Sequence, residues 1–187
     1  MKKFELFPTT VIEFDFTSHP NLKYITKNIN QNQSRPHNLI ENGVSSFSPT
    51  RNILLSPDLI ELKNDFQKCV DYYSKELKIY STYIHQSWFN IMENQGKVAP
   101  HNHGNSVLSG VFYPFLEEDT CNLFFQSPLY TALNFLPLYP TTQHFQDDFK
   151  IDIKSNHLYL FPGWLTHYTE KNKGNKRIVI SFDTKFY

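Results

Sequence analysis

From residue 80 to its last residue the chain shows no helical period. Its apolar residues fall instead into short β-branched and aromatic runs at 80–91, 107–115, 121–126, 149–153, 157–161 and 177–186, separated by turn residues. Such runs read as strands. With no helix between them to cover a parallel sheet, they must pair antiparallel and close as a sandwich, barrel or jelly roll. The last run is the clearest. Ile178, Ile180 and Phe182 alternate with Arg177, Val179 and Ser181, so one face is apolar and the other carries an arginine and a serine.

The first half adds three elements. Ile12, Phe14 and Phe16 alternate with Glu13 and Asp15, which predicts a strand over 9–16. Residues 28–52 are rich in Asn, Gln, Ser, Pro and Arg without a sustained period and read as a long loop or lid. Ser56-Pro57-Asp58 has the order of a helix start, and Leu59, Leu62, Phe66, Val70, Tyr73 and Leu77 form one apolar stripe. One supporting helix is predicted over 57–78, packed on a sheet. At 187 residues, without repeats or a composition boundary, residues 1–187 form a single domain.

Charge disfavours some functions, a local basic patch apart. Lys+Arg and Asp+Glu both number 18, so no net field holds nucleic acid or an anionic membrane. No apolar stretch is long enough to span a bilayer, and Glu5 and Pro8 interrupt any signal-peptide core. Cys69, in the helix, and Cys121, in a strand, predict two reduced thiols in a cytoplasm. Aromatic edge strands are compatible with a homodimer.

Five of the eight histidines, His19, His37, His85, His144 and His157, are scattered and read as surface or packing residues. His101 and His103 are two apart, a spacing that sends both imidazoles to one side of an extended chain, as a metal chelate requires. A third ligand must come from elsewhere, and His167, after the Pro162-Gly163 turn, is the candidate. Arg177 follows ten residues later (177 − 167) on the polar face of the last strand. A buried guanidinium needs an acid, either from the protein or from a ligand. Trp88 and Asn90 share one strand face, as do Ser109, Val111 and Tyr113. Trp164 and Phe161 read as wall and core.

Trp88-Phe89-Asn90, His101-Asn102-His103, Ser109-Gly110-Val111-Phe112-Tyr113, Phe161 to Tyr168 and Arg177 to Phe182 together resemble the 2-oxoglutarate-Fe(II) oxygenases, and among them a branch of marine bacteria, cyanobacteria and phages. A weaker match lies in Leu6-Phe7-Pro8. The resemblance implies a double-stranded β-helix, a cupin-like jelly roll, holding Fe(II) with 2-oxoglutarate as co-substrate. It implies a dioxygenase, a hydroxylase of unknown substrate, that couples oxidative decarboxylation of 2-oxoglutarate by O2 to substrate oxidation. His101 and His167 would be metal ligands and Arg177 the anchor of the distal carboxylate, with Ser181, Tyr113 and Asn90 in the same cavity.

Two positions depart from the family pattern. The residue two after the first histidine is usually Asp or Glu, and here it is His103. That leaves a three-histidine site, a two-histidine site with solvent in the third place, or a site that has lost iron. Val179 replaces the Ser or Thr that often follows the arginine by two, with Ser181 as a substitute. Two other readings stand beside the first: a three-histidine cupin-type dioxygenase that does not use 2-oxoglutarate, and a non-catalytic jelly-roll binding or structural protein.

Overall fold

The computed structural model describes residues 2, 8–20, 22, 25–26, 29, 34–129 and 148–187. Nine strands run β1 Ile12–Asp15, β2 Ile40–Ser45, β3 Thr82–Val98, β4 Leu108–Leu116, β5 Leu123–Gln126, β6 Asp148–Ile151, β7 His157–Pro162, β8 His167–Thr169 and β9 Lys176–Phe186. The long helix, α1, covers Ile60–Glu76. The strands form a six-stranded sheet in the order β1-β7-β4-β9-β3-β2 and a three-stranded sheet in the order β6-β5-β8. Among the described residues, every pairing between these strands is antiparallel.

The alternation of β4 and β9 sets the layers. Phe112, Ile178, Ile180 and Phe182 point to one side of the large sheet, where α1 lays Leu62, Phe66 and Val70 against them. Phe66 stacks on Phe182 at 5.4 Å and tilts onto Phe112 at 5.1 Å. Gly110 is required here, because a Cβ at that position would lie 2.2 Å from the Phe182 ring. Val111, Tyr113 and Val179 point the other way and pack with Leu123 and Phe125 of the small sheet. The two sheets therefore face each other, with the helix outside and a cavity between them.

Several boundaries differ from expectation. The 28–52 segment contains β2, which pairs with β3 on the edge of the large sheet. Its period was hidden by a bulge between Glu41 and Gly43, where Asn42 adopts φ 44°. Helix α1 starts at Ile60 rather than Pro57, because Ser56 closes a turn onto Leu59 (3.0 Å) instead of capping the helix. Leu62, Phe66, Val70 and Tyr73 are buried as predicted, whereas Leu77 lies past the helix end and is 37% exposed. Strand β3 runs seven residues beyond the expected 91 (98 − 91), and β8 was not anticipated. Cys121 precedes β5 rather than lying in a strand, and both cysteines are free. Leu6, Phe7 and His144 lie outside the described residues, as do residues 28 and 30–33 of the expected loop.

Candidate metal centre and cavity

Three backbone hydrogen bonds bring distant parts of the chain together. His101 and His167 exchange N–H···O bonds of 3.1 and 2.9 Å, and the His103 N–H donates to the Gly163 carbonyl at 2.8 Å. Gly163 is needed at that crossing, since a Cβ there would come within 2.4 Å of the Ser106 carbonyl. The segment before β4 is thereby stitched to the Pro162-Gly163 turn and the start of β8. The rings of His101, His103 and His167 converge, with one ligand atom from each lying within 4.8 Å of the others.

Each imidazole is fixed through Nδ1. His101 Nδ1–H donates to the Ala99 carbonyl at 2.9 Å, and His167 Nδ1–H donates to the Leu165 carbonyl at 3.0 Å. His103 Nδ1 instead meets both oxygens of Asp183, at 2.8 and 2.9 Å, and Ser109 Oγ donates to the same carboxylate at 2.7 Å. Trp88 stacks on the His103 ring, and Phe161 packs edge-on to His167. With Nδ1 engaged, each ring offers Nε2. That of His103 is buried and has no partner within the protein. A buried nitrogen without a partner is costly unless something binds it.

Electrostatics point the same way. Burial holds His101 below the ordinary histidine range and His167 well below it, each helped by its neighbouring histidines. Both rings are therefore neutral near pH 7, the form that binds a metal. The orphaned Nε2, the three neutral-capable nitrogen donors and the carboxylate behind His103 fit a divalent metal.

Arg177 is buried on the cavity side of β9, as alternation predicted. Its Nη1 donates to Cys121 Sγ at 2.7 Å and its Nη2 to the Tyr113 hydroxyl at 3.1 Å, while Nε has no partner. No carboxylate among the described residues pairs with it. Tyr113 accepts from Arg177, so its own proton remains for another acceptor. Ser181 and Asn90 line the same cavity, and Asn90 Oδ1 is likewise buried without a partner. Trp88, Ser109, Val111 and Phe161 line it too, whereas Trp164 is 52% exposed and forms neither wall nor core.

Three residues were missed. Asp183 lies one step past the point where the inward alternation of β9 was followed, and extending it by two positions finds it. His37 and His85, read as surface or packing residues, line the cavity.

The sequence profile of a family described as "Putative 2OG-Fe(II) oxygenase" matches residues 86–183, just over half of the chain. The chain belongs to this family of 2OG-Fe(II) oxygenases. It is accordingly an oxidoreductase of the class that uses Fe(II) and 2-oxoglutarate. Solved structures agree in fold. A prolyl-4-hydroxylase from Pseudomonas putida aligns with a TM-score of 0.64 at 9% identity, over 96% of this chain and 94% of that one. The viral collagen prolyl hydroxylase of Paramecium Bursaria Chlorella virus-1, solved with 2OG, aligns with a TM-score of 0.60 at 12% identity, over 95% and 96% of the two chains. HygX from Streptomyces hygroscopicus, solved with nickel, 2-oxoglutarate and hygromycin B, gives 0.64 at 8% identity, over 95% and 83%. The fold is the double-stranded β-helix. No curated protein sequence matches the chain. No helix among the described residues is long and apolar enough to cross a membrane.

Proposed function

We propose that this single-domain oxygenase, residues 1–187, is a hydroxylase in which His101, His103 and His167 hold Fe(II) and Arg177 binds the distal carboxylate of 2-oxoglutarate. The observation that carries the metal assignment is the buried, unpartnered Nε2 of His103, backed by Asp183 and Ser109. It favours His103 as a third ligand over solvent in that place. Asp183 returns to the site, one residue removed, the negative charge that a carboxylate ligand would have carried.

When bound, the iron and 2-oxoglutarate supply O2 activation through oxidative decarboxylation to succinate and CO2, which drives oxidation of the substrate. The protein's own residues prepare that chemistry. Arg177 Nε–H and the Tyr113 hydroxyl proton are among the donors free to receive the carboxylate, and burial makes them worth more than in water. Ser181 and Asn90 add polar groups to the same cavity wall. Val111, Leu123, Phe161 and Val179 exclude water along the rest of it. An arginine so placed, with no acid among the described residues to meet, speaks against the three-histidine cupin that dispenses with 2-oxoglutarate. The free thiols of Cys69 and Cys121 suit a reducing cytoplasm.

The test is an anaerobic titration of the apo-protein with Fe(II) and then 2-oxoglutarate, following the visible charge-transfer band of the chelate. The band forms in the wild type only after both additions and is lost in His101→Ala, His103→Ala, His167→Ala and Arg177→Ala. Iron binding without a band returns the cupin reading. A wild type that binds no iron overturns the enzyme assignment.

A further inference from the structure

The cavity has a second cationic end. The inward residues of β9 are Arg177, Val179, Ser181, Asp183 and Lys185. Eight residues of extended strand place the Arg177 and Lys185 backbones about 27 Å apart. Asp183, which holds His103, comes between them, so Lys185 lies beyond the histidines from Arg177. A five-carbon diacid spans only about 7 Å, two residues' worth of chain, and does not reach from one to the other.

Lys185 is exposed at the mouth, and no ion pair among the described residues engages it. His85 and Gln86, on the neighbouring strand, line the cavity with it, and Phe47, Trp88 and His37 line it as well. Trp88 links the mouth to the metal face, meeting Phe47 edge-on at 5.1 Å and His103 in a stack at 5.7 Å. Asp183 is the sole acid among the described lining residues, and its carboxylate is engaged by His103 and Ser109. In a chain with equal numbers of acidic and basic residues, that exclusion is local rather than compositional.

Resting on the oxygenase reading above, we propose that the primary substrate is a small organic molecule bearing a carboxylate, received by Lys185 with His85 beside it, its apolar body lying along Trp88 and Phe47. The charge count selects a monoanion. Burial, and then the Lys185 charge, hold His85 below its ordinary range, so near neutral pH this end offers one full positive charge and one neutral imidazole. A cavity of about 480 Å³, shared with the co-substrate, suits a small molecule.

The test uses Trp88 as reporter in a Trp164→Phe background, which leaves it the only tryptophan. With Zn(II) and saturating 2-oxoglutarate present to engage Arg177, the protein is titrated with hexanoate, hexanamide and inorganic phosphate. Hexanoate shifts Trp88 emission saturably and hexanamide does not. Lys185→Gln weakens hexanoate about tenfold or more, whereas Lys185→Arg keeps most of the affinity. Equal responses to hexanoate and hexanamide, tighter binding of phosphate, no response in the wild type, or indifference to Lys185→Gln would each overturn the proposal. The Fe(II)/2-oxoglutarate titration run on Lys185→Gln separates the two readings. A normal band with a lost hexanoate response supports the substrate site. If the wild type forms no band while the hexanoate response still depends on Lys185, the oxygenase reading fails and the substrate role falls with it, leaving only a carboxylate-binding residue.

Discussion

On the helix side of the six-stranded sheet, Phe112, Ile180 and Phe182 are fully buried against Phe66 and have no side-chain polar atom to satisfy. One residue along on the same strands, Tyr113, Ser181 and Asp183 face the cavity, with Arg177 on the same side of β9. Three of the six buried polar atoms without partners among the described residues, on Asn90, His103 and Arg177, belong to that side. Apolar packing fills one face, and buried polar atoms without protein partners gather on the other. The backbone of β4 and β9 couples them geometrically, yet their energetic roles are separable, and that separation can be attacked directly.

The largest expected effect is on the helix face. Phe112→Ala should cost about 3–5 kcal/mol of stability by leaving a cavity against Phe66 and Phe16. Denaturant melts measure it, and metal affinity of the protein that remains folded should hardly change. His167→Ala reverses the pattern, with Fe(II) affinity falling by at least about a hundredfold, since even support residues behind a ligand cost 10–100-fold. Calorimetric titration reads the affinity, and a large loss of stability in the metal-free protein would break the proposed separation of faces. Asp183→Asn comes next. It keeps the size of the group behind His103 but removes its charge, and should weaken the metal by about 10–100-fold. An unchanged affinity would mean that His103 is not a ligand. The smallest effect on stability is expected from Arg177→Leu, which should lose the 2-oxoglutarate band while leaving the melt within about 1 kcal/mol, because a buried cation without an acid contributes little to folding.

This division explains what the sequence made legible. A strand buried on both faces but by different chemistry leaves a two-residue period in the text, so Arg177, Val179 and Ser181 could be placed together before any coordinates. The same period, carried two residues further, would have reached Asp183. His101 and His103 were legible as a pair because their spacing is local, whereas the partner of His103 is eighty residues away and no local pattern announces it. Strand β2 was hidden because its bulge at Asn42 and Gly43 shifts the register after two residues. Strand β8 is three residues long, too short to show a period, and its pairing with β5 and its bridge to His101 define it. Trp164 misled for a simpler reason: it sits on the outer side of a tight turn whose inner positions are taken by Gly163 and Leu165.

The paired backbone bonds between His101 and His167 join residues separated by 66 positions (167 − 101). During synthesis the first two histidines emerge from the ribosome well before the third, and neither they nor any shorter fragment can present the full donor set. On the ligand set proposed above, a competent binder exists only after most of the chain has been made and the two sheets have closed on each other. Under that proposal metal loading acts as a quality check on completed folding, and a truncated or misregistered chain would be left unmetallated.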